Sequence, residues 1–431
     1  MKGKFNIIQR TMQRWNDIHP YNAVHVVKVP RTLDRDYLIS VIGSQLENHG
    51  LTGLILNRGK GSYQYLGGPA HVELKIIEKK SDTDSALHNE IEKQLNMPFP
   101  DDGEIIPFRF FAVHERESFY LGIVYLHCIA GAESIVFFLK SIANTYLQRD
   151  ANSFSHPVDL YPECYGNPLH TPKFLLPGLA ALPSFIRDMR RASRPRYRTM
   201  NDQHNRFSFF TLRSHEFHAL VKTGKIWGIT LNDIFLALIL KSLAPLASGR
   251  MKTSRRRQIA VGSIVNIRKD LGINGLKTFG LFLGSFVVYH HVPEGISLKN
   301  LAVDIHRQTS LIKKQKRYLG TPFELFSAQL LISLFPPDSR QKFYPKYYPL
   351  WGGITNMNLN TYWEQKEDEK PIDYYRAVST GPLTPIVLSI TTVRDVLNIG
   401  VTYKTAVFSQ KEVELIIAEF INSIHQLVKD S

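Results

Sequence analysis

Cysteine is nearly absent from this 431-residue sequence, which contains only Cys128 and Cys164. Two cysteines provide neither a disulfide framework nor a set of thiolate metal ligands, so we expect a reducing, cytoplasmic environment and no metal site. No secretory pattern is visible either, because residues 1–15 are polar and basic. The longest apolar run, 234–247, is too short to span a bilayer.

Acidic residues are scarce relative to basic ones, with 38 Asp and Glu against 53 Lys and Arg and a net charge of +15. The sequence has no helix-turn-helix signature, no zinc-finger spacing and no RNA-recognition aromatic pattern, so we expect no nucleic-acid partner. The excess charge could attract an anionic membrane surface, a CoA phosphate or an acidic carrier protein. It could equally serve solubility alone, and charge does not decide among these alternatives.

The length suggests two or three domain-sized units. Prolines recur between about 149 and 205, and we divide the chain into an N-terminal half (1–178), a Pro/Arg-rich crossover (179–205) and a C-terminal half (206–431). The crossover places apolar residues beside six arginines, a pattern that permits an amphipathic helix on an anionic membrane. The favoured alternative is that this segment packs on its own protein with the arginines in solvent.

The most informative stretch is Tyr-Leu-His-Cys-Ile-Ala-Gly-Ala-Glu-Ser around His127. Residues 119–126 are β-branched and aromatic, which predicts a buried strand, and residues 135–147 have helical apolar spacing, with Glu133 or Ser134 as the cap. His127 therefore ends a buried strand, where an imidazole can project into a cleft and act as a general base. A structural histidine is the alternative at such a position.

The stretch resembles the HHxxxDG active-site motif of the acyl-CoA-dependent acyltransferase superfamily. That superfamily includes chloramphenicol acetyltransferase, condensation domains of nonribosomal peptide synthetases, wax ester synthase/diacylglycerol acyltransferases and alcohol acetyltransferases. In this resemblance His127 corresponds to the catalytic histidine and Ser134 to the serine that follows the glycine. Leu126, Gly131 and Ala132 stand where the family has its first histidine, its aspartate and its glycine.

Other matches follow in the family's order. Asn-Met-Pro-Phe at 96–99 and Pro-Phe-Arg at 107–109 resemble the approach to the active-site strand. Gly-Ile-Thr-Leu-Asn-Asp at 228–233 resembles the start of the C-terminal half, and Val-Asn-Ile-Arg at 265–268 a later strand. The resemblance covers roughly residues 18–427, and the order of these matches carries more weight than any one of them.

The resemblance implies an α/β fold of two chloramphenicol-acetyltransferase-like subdomains, each a mixed sheet backed by helices, with an active-site tunnel between them. It implies that four residues brace the site: Gly131, Ser134, Asn266 and Arg268. It also places a run of polar residues, which we expect to be buried, on a strand across the cleft from the histidine: Thr355, Asn356 and Asn358. These could bind substrate or an oxyanion, or could only satisfy neighbouring backbone.

The implied reaction is direct acyl transfer from a thioester, either acyl-CoA or an acyl-carrier protein's phosphopantetheine, to an alcohol or amine, with no bound cofactor. His127 would remove the acceptor's proton. No Gly-x-Ser-x-Gly elbow occurs, and Cys128 should point away from His127 on an extended chain. The alternatives are a catalytically degenerate protein that binds acyl chains or a carrier protein, and a peripheral membrane protein without an acyl role.

Overall fold

The structure is a computed structural model that describes residues 2–78, 82–148, 159–160, 171–200, 202–253, 255–273, 278–336, 340, 342–363 and 373–429. Within these ranges the α-helices are α1 (Ile7–Asn16), α2 (Arg35–Asn48), α3 (Thr83–Asn96), α4 (Ala132–Gln148), α5 (Pro172–Arg191), α6 (Ser214–Trp227), α7 (Leu231–Leu243), α8 (Arg268–Leu271), α9 (Leu298–Lys314), α10 (Thr321–Ser333), α11 (Phe343–Tyr347) and α12 (Gln410–Lys429). Short 3-10 turns span Ser248–Lys252, Arg317–Gly320 and Leu359–Thr361.

The strands are β1 (Lys2–Lys4), β2 (Asn22–Val29), β3 (Leu54–Asn57), β4 (Ser62–Tyr65), β5 (Leu74–Ile77), β6 (Gly103–Ile105), β7 (Phe108–His114), β8 (Phe119–Leu126), β9 (Asp159–Leu160), β10 (Asn205–Leu212), β11 (Ile259–Asn266), β12 (Thr278–Phe279), β13 (Leu283–His290), β14 (Gly352–Asn358), β15 (Tyr374–Val378), β16 (Ile386–Val393) and β17 (Val396–Lys404). They form two large sheets, a four-stranded sheet β1-β4-β3-β6 and the pair β12-β9.

The first large sheet has the order β15-β2-β8-β7-β5, in which only β5 and β7 pair in parallel. The predicted buried strand at 119–126 is β8, and all of its residues are buried. Such a continuous apolar run suits a central strand, which is covered on both faces. Helices α3 and α4 pack against β2 beside it. This sheet therefore holds the residue that follows β8, His127, at its edge.

The second large sheet has the order β10-β17-β16-β14-β11-β13, in which β14 runs parallel to both neighbours. Helix α7 packs against β11 and β14 and is covered in turn by α9 and α12. Its apolar residues run all round the helix, so burial on every side is the stable arrangement. The Thr230 side chain caps α7 by accepting a hydrogen bond from the Asp233 amide. Two mixed sheets backed by helices match the expected fold class.

Strand β15 belongs to the C-terminal half of the sequence but pairs with β2 in the first sheet. It lies against β16 and β17 of the second sheet as well. The close approach depends on Gly400 of β17, where an added Cβ would lie 2.2 Å from the Arg376 carbonyl oxygen. The two halves are therefore joined in space by this strand, which crosses from one sheet to the other.

The first part of the Pro/Arg-rich crossover lies in α5, which packs against α10 and the 3-10 turn Arg317–Gly320. The predicted division at residue 178 therefore falls inside one helix, because two prolines within it, Pro177 and Pro183, do not end it. Among the described helices, none is by itself both long and apolar enough to cross a membrane; only α6 and α7 together meet that test, and they are bent by 105°.

Candidate active site

A cavity of about 390 Å³ lies between the two large sheets. The first sheet lines it with side chains of β2, β8 and β15, and the second sheet with residues of β11, β13, β14 and β16. Seven of the eight predicted site residues line it, all except Ser134: His127, Gly131, Asn266, Arg268, Thr355, Asn356 and Asn358. Tertiary packing therefore brings together residues from both halves of the sequence.

His127 follows the last residue of β8, and its backbone amide donates to the Tyr21 carbonyl at 3.0 Å, which extends the strand pairing by one residue. Its ring stacks on Tyr21, with centroids 5.4 Å apart, and meets the edge of Tyr125 at 5.8 Å. The ring Nδ1 lies 3.1 Å from the Ala130 carbonyl oxygen. A carbonyl can only accept, so Nδ1 carries the proton and Nε2 has the lone pair.

Burial lowers the pKa of His127 to about 4, because the cavity wall disfavours the charged imidazolium, while the Ala130 carbonyl opposes this shift. The imidazole is therefore neutral at physiological pH. Nε2 has no hydrogen-bond partner among the described residues. A neutral ring with a fixed tautomer and an unoccupied lone pair has the properties of a general base.

The next residue, Cys128, points away from the cavity, as expected for neighbouring residues on an extended chain. It is buried and free, and burial raises the pKa of its thiol to about 12. Such a thiol is inert as a nucleophile. Among the described residues, no three His, Cys, Asp or Glu side chains lie close enough to hold a metal ion. Cys164 lies outside the described residues.

The rim of the cavity contains a buried ion pair that the sequence did not predict. The Glu133 carboxylate lies 2.5 Å from Nε of Arg268, and both side chains are largely buried. The Asn266 side-chain amide also donates to Glu133. The sequence suggested Glu133 only as a helix cap, and Ser134 as either a cap or a brace of the site. The capping prediction is wrong for both, because α4 already begins at Ala132 and both side chains turn towards Arg268.

Ser134 joins the ion pair to the opposite half of the chain. Its hydroxyl accepts from Nη2 of Arg268 at 2.6 Å and from the Gly280 amide at 3.0 Å, and it donates to the Gly280 carbonyl at 2.9 Å. The Gly131 amide donates to the same carbonyl at 2.9 Å. The Arg268 guanidinium also packs over Phe282, 4.2 Å from the ring centroid. These contacts tie the turn after His127 to the second half.

Position 131, where the family resemblance places an aspartate, has room for a side chain. A Cβ at Gly131 would meet its nearest atoms at 3.5 Å or more, which is ordinary contact, and the backbone there does not adopt a positive φ. Glycine is therefore not required by local geometry. The carboxylate that pairs with Arg268 comes instead from Glu133, two residues further along the chain in the first turn of α4.

The polar run on β14 differs from the expectation of burial. Asn356 and Asn358 are exposed and Thr355 is half-buried, because the carboxyl end of β14 opens onto the cavity. Asn358 caps the following 3-10 turn by accepting from the Asn360 amide at 3.1 Å. Thr355 accepts from Arg376. The Asn356 side-chain amide lines the cavity and has no partner among the described residues, so it is available to a ligand.

Sequence reasoning also missed Arg376, which lines the cavity from β15. Beside it, His25 is held between two tyrosines, with Nδ1 2.6 Å from Tyr374 Oη and Nε2 3.4 Å from Tyr125 Oη. Burial lowers the pKa of His25 well below its usual value, with Arg376 and His127 as further causes. For His25, the only signal in the sequence is the alternating pattern of residues on β2, which puts His25 on the same face as Ala23.

No sequence profile of a known protein family matches the chain, and no curated protein matches it by sequence. Solved structures do match. The condensation domain of the monacolin K polyketide synthase MokA has a TM-score of 0.73 at 11% identity, over 100% of this chain and 98% of that one. The first condensation domain of the calcium-dependent antibiotic synthetase, in complex with a substrate analogue, has a TM-score of 0.73 at 14% identity, with 100% and 97% covered. The epimerization domain from the third module of tyrocidine synthetase B has a TM-score of 0.67 at 13% identity, with 100% and 98% covered.

The likeness spans the whole chain and nearly the whole of each matched domain. The protein thus has the condensation-domain fold, which is the fold of chloramphenicol acetyltransferase and the CoA-dependent acyltransferases, as the motif resemblance implied.

Proposed function

We propose that this protein transfers an acyl group from a thioester to an alcohol or amine, with His127 as the general base. The observation that carries the proposal is the hydrogen bond from Nδ1 of His127 to the Ala130 carbonyl, which leaves a basic Nε2 in the cavity between the sheets. A histidine can act as a general base at neutral pH only if the ring nitrogen that faces the substrate is unprotonated.

In the proposed reaction the acceptor's O–H or N–H gives its proton to Nε2 as the acceptor atom attacks the thioester carbonyl. The tetrahedral intermediate then collapses, the C–S bond breaks, and the imidazolium returns the proton to the leaving thiolate. The transfer is direct and needs no bound cofactor. Cys128 takes no part, since its thiol is buried and its pKa is raised to about 12.

The developing oxyanion needs hydrogen-bond donors, which strengthen as charge builds on the oxygen. Asn356 is the candidate, because its amide is exposed to the cavity and has no protein partner among the described residues. The network of Glu133, Arg268 and Ser134 is proposed to brace the turn that carries His127 rather than to touch substrate. The neutral Nε2 and the Asn356 amide would thus act on the acceptor and the donor respectively.

The acyl donor is proposed to arrive on the phosphopantetheine arm of a carrier protein, with acyl-CoA as the alternative donor. Support comes from the fold, which this chain shares with condensation domains of a polyketide synthase and a peptide antibiotic synthetase. The net charge of +15 would favour an acidic carrier. The buried free thiol of Cys128 fits a reducing compartment such as the cytoplasm.

Two features favour the alternative of a protein that binds an acyl chain or carrier protein without turnover. Leu126, which replaces the family's first histidine, is fully buried and apolar. Burial lowers the pKa of His127 to about 4, and a general base with a lower pKa accelerates proton removal less. Against it, Glu133 supplies a carboxylate to Arg268 in place of the missing aspartate.

The test is the release of free thiol from a panel of acyl-CoAs and acyl-loaded carrier proteins in the presence of alcohols and amines. We expect His127→Ala to lower the rate about 10²–10⁴-fold, the usual contribution of a general base. His215→Ala, which removes an exposed histidine on α6, is the matched control and should leave the rate unchanged. Thiol release at equal rates from both variants would reject His127 as the base. Binding of an acylated carrier without thiol release would support the alternative.

A further inference from the structure

Arg376 stands in the middle of β15, directly opposite His25 of β2, and is 4% exposed. Its side chain extends to the adjacent second sheet. There Nε donates to the Thr391 hydroxyl at 2.8 Å, and Nη2 donates to the carbonyls of Ile390 and Thr355 at 2.6 and 3.1 Å. Nη1 makes only a long contact of 3.5 Å with the Thr355 hydroxyl. The Nη1 edge of the guanidinium is therefore incompletely satisfied.

Every acceptor that the described residues offer to Arg376 is neutral. No described carboxylate lies within ion-pair distance, and the one acidic side chain that lines the cavity, Glu133, is already paired with Arg268. Both lining histidines, His25 and His127, are neutral at physiological pH because burial lowers their pKa values. Burial lowers the pKa of Arg376 only to about 10, so it stays charged. The described wall of the cavity thus has a net charge of one positive unit, located at Arg376.

A buried cation without a counterion is costly, and proteins usually pair or neutralise it. Arg250 provides a comparison within the same chain. It is also largely buried, and its partners among the described residues are all carbonyls, including that of Ala244 at the end of α7. The negative end of a helix compensates part of its charge. The described partners of Arg376 lie on β14 and β16 and include no helix terminus, and unlike Arg250 it lines the cavity.

We propose that Arg376 binds the carboxylate of the acceptor substrate, so that the protein acylates a hydroxy or amino carboxylic acid. The identification of the bound molecule as the acceptor rests on the proposed function. The binding of the carboxylate rests on the cavity alone. The single positive charge of the guanidinium would be balanced by a carboxylate, which carries one negative charge. The carboxylate would accept hydrogen bonds from the N–H groups of Nη1.

The strand register sets the length of this acceptor. Arg376 is opposite His25, which is opposite Ile123, and His127 lies four residues further along the same chain. At about 3.4 Å per residue along the strand and about 4.8 Å between neighbouring strands, the two Cα atoms are roughly 17 Å apart. Both side chains point into the cavity, so the carboxylate and the reacting atom of the acceptor should be on the order of 10 Å apart, as in a medium-length chain.

The probe pair is ω-hydroxydecanoate and decane-α,ω-diol, which differ in one terminal group and have about the required length. Binding is measured by titration calorimetry without any acyl donor, so the result does not depend on turnover. We expect the wild-type protein to bind the hydroxy acid at least tenfold more tightly than the diol. We expect Arg376→Gln to lose this preference. We expect Arg376→Lys to keep part of it, since lysine retains the positive charge but lacks the planar set of N–H donors.

Arg250→Gln is the matched control, because it removes a buried arginine away from the cavity and should leave the preference intact. If Arg376→Gln does not fold, the wild-type comparison still decides: equal binding of acid and diol overturns the proposal. Tighter binding of ω-hydroxydecyl phosphate than of the carboxylate would overturn the assignment to a carboxylate. Acid preference without acyl transfer would refute the proposed function alone, whereas transfer without acid preference would refute this inference alone.

Discussion

The carboxylate of Glu133 lies 2.5 Å from Nε of Arg268, and this pair joins the first turn of α4 to the segment after β11. The resemblance to the HHxxxDG motif placed a carboxylate at position 131, where this chain has glycine. Because the helix begins at Ala132, a side chain two residues further along can still reach the arginine. The charge pair at the cavity rim is therefore present although the motif aspartate is not.

We predict that Glu133→Gln destabilises the protein. It would leave Arg268, which is 5% exposed, without its counterion, and removal of one partner from a buried pair costs about 3–5 kcal/mol. Denaturant unfolding measures the change in the free energy of unfolding. Glu104→Gln, an exposed carboxylate on β6, should change it by less than about 0.5 kcal/mol. An equal effect of the two substitutions would mean that the ion pair contributes nothing.

We predict that Gly131→Asp alone also destabilises the protein, because a second carboxylate would compete for an arginine that Glu133 already neutralises. Local strain is not the cause, since a Cβ fits at this position. In the Glu133→Gln background the same aspartate should instead restore stability. The double-mutant cycle should give a favourable coupling of about 0.5–3 kcal/mol. Additive losses in the double variant would show that position 131 cannot reach Arg268.

We predict that kcat/KM for acyl transfer falls in acid with an apparent pKa near 4 instead of near 6.5, because burial lowers the pKa of His127 to about 4. The rate should be flat from about pH 8 to about pH 5. The folded pKa lies below the unfolded one, so the unfolded chain binds more protons between them and stability falls as the pH drops through that window. Circular dichroism at each pH excludes loss of fold. An inflection near pH 6.5 would contradict a buried base.

We predict that Gly400→Ala weakens the crossing of β15 between the sheets. Its Cβ would lie 2.2 Å from the Arg376 carbonyl, so β15 would have to shift. Overpacking of this kind typically costs about 1–3 kcal/mol. Gly43→Ala on α2, whose added Cβ would meet its nearest atom at 3.7 Å, is the control and should be neutral or stabilising. Thermal unfolding compares them, and equal melting temperatures would show that β15 tolerates the displacement.

We predict that α5 binds weakly to anionic vesicles. Leu176, Leu179 and Ile186 on this helix are exposed, and Arg190 and Arg191 at its end are exposed as well. Cosedimentation should increase with phosphatidylserine content and decrease when both arginines become glutamine. Each charge removed should weaken the free energy of membrane binding by about 1 kcal/mol. The matched control replaces two exposed lysines at the end of α9, Lys313 and Lys314. Loss of binding in both double variants would indicate a non-specific charge effect.

Local pattern was enough to locate many elements. The run at 119–126, which predicted a buried strand, is β8, and the helical apolar spacing at 135–147 lies within α4. These features depend on residues close in sequence, whose side-chain periodicity is set by the backbone. The position of His127 at the end of a buried strand was visible for the same reason.

The sequence by itself therefore determined the order of the elements, the position of His127 and, through the order of the motifs, the fold. Only the tertiary structure decided that Glu133 takes the place of the motif aspartate and that Asn356 and Asn358 are exposed. It also decided that Arg376 lines the cavity with no counterion among the described residues. The physical reason is that burial and charge pairing depend on which distant segments meet. The pattern of residues along β15 does not indicate that this strand, from the C-terminal half of the sequence, pairs with β2 of the N-terminal half. That pairing places Arg376 in the same cavity as His127.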